Sequence, residues 1–248
     1  MFFIVANFTL AGILLVIGVL TLKKVSHPAE LVFASLPLLF GLHQFTQGFV
    51  WLGLYHMVGP RALHVSSMLF VFYAQAILPF WVPLAIWLIE PRGPRRQLIG
   101  VLLLVGGLLM AYVTWGLVQQ PTHVLISHYS LVYSNPHTRH LWVAFIYILT
   151  TCGSLILSRS VAIQLFGWLN LLGLLVVYVI AQYSFTALWC LYAALVSGIL
   201  YLHFIERRIA FLRTLQHEEA RFGSGAEEEL NRLLGLFPRL RRFFLRRV

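Results

Sequence analysis

The sequence predicts an all-α, polytopic membrane protein of seven transmembrane helices, with its N-terminus outside and its C-terminus in the cytoplasm. Three observations predict this. First, 60% of the 248 residues are hydrophobic and only 10% are charged. In water such a chain would carry large exposed apolar patches, whereas hydrocarbon accommodates them. Second, seven apolar segments approach the roughly 20 residues needed to cross about 30 Å of hydrocarbon, and none contains Asp, Glu, Lys or Arg. Third, the basic residues of the short loops are unevenly divided. Lys23, Lys24, Arg92, Arg95, Arg96 and Arg159 fall on one side, against Arg61 and Arg139 on the other, and the side richer in Lys and Arg is cytoplasmic.

The first helix is expected at residues 2–22. No basic segment precedes it and no small-residue cleavage pattern follows, so it reads as a retained helix and not a signal peptide. The second, 31–55, follows His27-Pro28. The third, 65–89, follows Gly59-Pro60, and the fourth, 98–118, follows Pro91-Arg92-Gly93-Pro94. The fifth, 141–157, is the shortest and comes after a loop punctuated by Gln120-Pro121 and Asn135-Pro136. The sixth and seventh are expected at 161–181 and 185–205. These seven form a transmembrane domain, 1–205, followed by a basic amphipathic cytoplasmic tail, 206–248.

The formal net charge of +10 is largely a property of that tail, because ten of the eighteen basic residues lie beyond Glu206. Its end interleaves arginines with Phe243, Phe244 and Leu245. Such a segment can lie on an anionic leaflet, inserting the apolar side chains while the arginines meet headgroups at about 1 kcal/mol each. The alternative is an ordinary positive-inside tail. Nucleic acid is not expected as a partner.

With no charge in the spans, the informative residues are the uncharged polar ones, since each needs a partner where water is absent. The densest group is in the second helix, where His43, Gln47 and Trp51 are spaced i, i+4, i+8 on one face beside Gln44. At about 1.5 Å rise per residue, Gln75 in the third helix, near Tyr73, and Asn170 in the sixth lie at a similar depth to His43. The group reads either as hydrogen-bonding glue between helices, at about 0.6 kcal/mol per contact, or as the lining of a ligand pocket.

Six of the ten histidines lie on the outer side. Among them His123, His128, His137 and His140 share one loop and are candidate metal ligands. No carboxylate on that face can serve as the usual partner of a metal-bound imidazole.

All eight acidic residues are glutamates, confined to Glu30, Glu90 and the tail. Hydrolysis at the outer face with a carboxylate base is therefore excluded, as is a carboxylate proton relay through the spans. Without a lysine in any span there is no retinal Schiff base. Cys152 and Cys190 form no CxxC pair and indicate neither a disulfide framework nor a zinc knuckle.

The run Ala34-Ser35-Leu36-Pro37-Leu38-Leu39-Phe40-Gly41, leading into His43-Gln44-Phe45-Thr46-Gln47-Gly48-Phe49-Val50-Trp51, resembles the signature of a bacterial family of uncharacterised integral membrane proteins, a domain of unknown function. Leu78-Pro79-Phe80-Trp81-Val82-Pro83, the segment Ile126 to Tyr133 and the segment Ser184 to Ala194 continue the resemblance, which covers about residues 26 to 204. Family members usually have Gln-Gln and then Glu-Gly in the second helix, where this chain has His43-Gln44 and Gln47-Gly48. Any role the family gives that acid is therefore in doubt here. The usual start, Met-Cys-Phe-Ser, is replaced by Met1-Phe2-Phe3-Ile4. The resemblance implies a membrane protein of bacterial type and conveys no activity; the expected location is the bacterial inner membrane.

The sequence identifies no reaction and specifies no cofactor. The reading it favours is a non-enzymatic sensor or accessory subunit whose second-helix polar ridge contacts a small apolar ligand, a pigment or the helix of a membrane-protein partner. The alternative is a membrane-embedded enzyme or metal-handling protein that uses the outer histidines. A transporter is a third class, but no paired broken helices or inverted repeat speak for it.

Overall fold

A computed structural model describes residues 1–127, 130–180 and 192, without the side chains of 130 and 177–180. Apart from Tyr192, the expected seventh helix and the tail lie outside the described residues, as does His128. The chain divides into two units, 1–204 and 205–248, and every described residue belongs to the first.

The described part is mostly helical. Helix α1 spans Phe2–Leu22, α2 Leu31–Ala34, α3 Leu36–Leu54, α4 Pro60–Val71, α5 Leu78–Ile89, α6 Pro94–Gln119, α7 Leu141–Leu157 and α8 Val161–Ile180. Three helical stretches, Phe2–Leu22, Pro60–Ile89 and Pro94–Gln119, are long and apolar enough to cross a membrane. His43, Gln44 and Gln47 dilute the apolar character of α3.

The all-α expectation needs one correction. Strands β1 (His123–Ser127) and β2 (Ser130–Ser134) form an antiparallel hairpin, with Leu125 opposite Val132 and Ser127 opposite Ser130. The segment between Pro121 and Asn135 is rich in β-branched and aromatic residues, which suit a pleated strand better than an open loop.

Prolines set the helix breaks. Pro37 in the first turn of α3 has no N–H to offer the preceding turn, and the chain steps from α2 to α3 at Ser35. Between α4 and α5 the ladder widens into a π-helical turn, Phe72–Ile77, ending two residues before Pro79. A proline ring clashes with the carbonyl four residues back, here that of Gln75, and the wider turn opens space there. Helix α3 ends in a Schellman motif: the His56 N–H donates to the Gly53 carbonyl and that of Met57 to Leu52. His56 takes the left-handed position at φ 57°.

Small residues let the helices approach. A Cβ on Gly18 would lie 2.6 Å from the backbone nitrogen of Leu38, and one on Gly48 would lie 2.8 Å from the ring of Phe8, so glycines on both helices make room for the close approach of α1 and α3. A Cβ on Gly106 would fall on the Pro79 carbonyl oxygen, which places α6 directly against the backbone of α5.

Burial runs opposite to that of a water-soluble protein. Leu104 (71% exposed), Leu108 (73%), Leu141 (83%) and Val161 (77%) face outward, while His43, Gln44, Thr150, Ser154 and Asn170 are buried. Large apolar side chains outside and polar ones inside are stable only where the surroundings are hydrocarbon. The buried hydroxyls are satisfied locally, as with Thr150 to Ile146 (2.8 Å) and Thr151 to Tyr147 (2.7 Å).

At the opposite end of the bundle from the hairpin, the buried carboxylate of Glu90 accepts hydrogen bonds from the Ser158 hydroxyl (3.1 Å) and the Arg159 N–H (3.1 Å). Gln164 and Arg95 both donate to the Ser158 carbonyl. This clasp ties the ends of α5 and α6 to the α7–α8 turn.

Candidate functional site

Helix α3 carries the site. Phe40, Gln44, Gln47 and Trp51 recur at i, i+4, i+7 and i+11, so they share one face, and all four are buried. His43 stands beside them, towards α4. One of its ring nitrogens, Nε2, lies 3.2 Å from the Phe70 carbonyl. A carbonyl can only accept, so Nε2 carries the proton and donates. The ring also stacks on Phe70, with centroids 4.1 Å apart, and meets Tyr73 edge-on at 6.3 Å.

Phe70 in turn stacks on Tyr133 of β2 at 4.2 Å. His43, Phe70 and Tyr133 thus form a continuous column of rings from the interior of the bundle to the hairpin. Beside it Leu131, fully buried, packs with Val50 and Trp51. The hairpin therefore covers the end of the bundle nearest Trp51.

Several polar atoms of this region have no hydrogen-bond partner among the described residues: Nδ1 of His43, both amide atoms of Gln44, and Oε1 of Gln75. Gln44 is fully buried. An unsatisfied buried polar group costs about 1–3 kcal/mol, so a fully buried amide with neither atom bonded is unusual and needs a reason.

Two chambers adjoin α3. The smaller, about 10 Å³, is lined by Leu39, Phe40, His43, Tyr73, Ile77 and Leu78. The larger, about 30 Å³, lies among α3, α5, α7 and α8, and its lining includes Tyr147, Thr151, Cys152 and Asn170. Phe40 and Leu78 belong to both linings and separate the chambers.

The expected polar layer is thus only partly assembled. His43 and Tyr73 meet at the smaller chamber. Asn170 lines the larger one, its Nδ2 donating to the Phe166 carbonyl of its own helix at 2.7 Å. Gln75 lines neither, and no hydrogen bond among the described residues joins His43, Gln47, Gln75 and Asn170. Trp51 stacks on Phe3 of α1 at 4.6 Å, which gives it a packing role. Phe70, Tyr133 and Leu78 were not legible as site residues, since each is an ordinary apolar position until the fold places it beside α3.

The histidines considered as metal ligands are spread among aromatic rings. His137 packs over Gly116 and lies edge-on to Trp115 at 5.0 Å, His140 stacks on Trp142 at 6.1 Å, and His123 is at the start of β1. Among the described residues no three His, Cys, Asp or Glu side chains are grouped to hold a metal ion.

The inverted burial and the apolar helices mark a helical membrane protein, with uncharged polar side chains buried around α3. The chain belongs to a family of unknown function (DUF6629), whose model matches residues 3–214. No curated protein and no solved structure matches it.

Proposed function

We propose that the chain is a multi-pass protein of the bacterial inner membrane, with seven spans, its N-terminus outside and its tail in the cytoplasm, and that it acts without catalysis as a sensor or accessory subunit by binding a small apolar ligand beside α3. One observation carries this reading: the polar atoms of His43 and Gln44 that have no partner among the described residues, His43 in the lining of the smaller chamber and Gln44 next to it on α3. Interhelical glue would spend these atoms on neighbouring helices, whereas a binding site keeps them for a ligand. The family description adds no activity to this reading.

Native mass spectrometry of the gently solubilised protein tests it. The wild-type chain is expected to carry a bound small molecule that is lost in His43→Ala. A bare wild-type mass, or equal retention by the variant, would overturn the reading.

A further inference from the structure

We infer that the ligand recognised at α3 is a hydrogen-bond donor, an apolar molecule carrying a hydroxyl group, and that its hydroxyl is received by Nδ1 of His43. This rests on the binding role proposed above and specifies the chemistry of the ligand's head.

The Phe70 carbonyl assigns the proton of the neutral imidazole to Nε2, so Nδ1 is left with a lone pair and no hydrogen. That atom is buried and has no partner among the described residues, and the side chain lines the smaller chamber. A ligand carbonyl or ether oxygen there would set lone pair against lone pair. A hydroxyl satisfies both atoms.

The stacked Phe70 ring and the Phe70 hydrogen bond hold the imidazole from two directions, and a neutral ring that offered a donor from Nδ1 would lose the Phe70 hydrogen bond. The rest of the chamber is apolar apart from the Tyr73 side chain; a tyrosine hydroxyl can donate or accept, whereas Nδ1 of this tautomer can only accept, and it orients the head. The chamber of about 10 Å³ accommodates a group the size of one water or one hydroxyl. The apolar body extends towards the larger chamber, which requires Phe40 and Leu78 to part.

A matched pair of probes isolates the donor: a 4-alkylphenol and its methyl ether, titrated into the full-length protein in nanodiscs. A single net hydrogen bond corresponds to a preference of about 5-fold or more for the phenol. In His43→Phe, which keeps a stacking ring, the preference is expected to fall below about 2-fold while the ether still binds. Equal binding of the two probes by the wild-type protein overturns the donor assignment and leaves the binding role standing. Binding of neither probe overturns both. A preference that survives His43→Phe removes His43 as the acceptor. If that variant does not fold, the ¹⁵N shift of Nδ1 in the wild-type protein decides: it moves with the phenol and not with the ether if the inference holds, and stays unmoved with both if it fails.

Discussion

At the scale of single residues, His43 and Gln44 are neighbours in sequence with different positions. His43 has spent one nitrogen on the Phe70 carbonyl, whereas Gln44 has spent nothing. Gln44→Leu is close in volume and removes two unsatisfied atoms, so thermal unfolding in detergent is expected to show a gain of about 1–3 kcal/mol. A loss of stability in this variant would mean that Gln44 is bonded in the folded protein. The presence of these two residues in an apolar run was visible in the sequence. Their unequal satisfaction was not, because it depends on a carbonyl 27 residues away from His43.

At the scale of elements, contact between helices is governed by where a side chain is missing. Gly106 sits against the Pro79 carbonyl, which has no helical donor because Pro83, four residues on, lacks an N–H. Gly106→Ala must push α5 and α6 apart, and a cost of about 1–3 kcal/mol is expected. At Gly12 a Cβ meets nothing within 4 Å, so Gly12→Ala is expected to be neutral or to stabilise by up to about 1 kcal/mol. Thermal stability of the two purified variants, measured side by side, checks the contrast. Equal effects would mean that the α5–α6 contact is looser than described. The bounds of the helices 2–22 and 141–157 were readable from the sequence to the residue, since apolar runs that stop at charged and polar residues leave little choice. The π-helical turn before Pro79 and the hairpin over Trp51 were not. Each depends on backbone groups finding partners or space in three dimensions, which an apolar run does not encode.

For the whole molecule, the excess of Lys and Arg in alternate loops predicts an outside N-terminus and a cytoplasmic tail, and this can be checked directly. Single cysteines placed at Met1 and near Val248 in a chain lacking its two native cysteines are expected to react with an impermeant maleimide on intact cells at the first position and only after lysis at the second. Labelling of both from outside would sink an odd number of crossings. Three described helices are long and apolar enough to cross a membrane, and the outward-facing Leu104, Leu108 and Val161 fit a lipid surface. The sequence by itself determined the solvent of this protein, its helical class and the polar residues in its interior, because hydropathy and loop charge are local properties summed along the chain. Only the tertiary structure decided which polar atoms are satisfied, that His43 is held by Phe70 beneath Tyr133, and that Phe40 and Leu78 stand between two chambers. Those outcomes depend on carbonyls, rings and gaps brought together from distant segments, and no pattern within one helix records them.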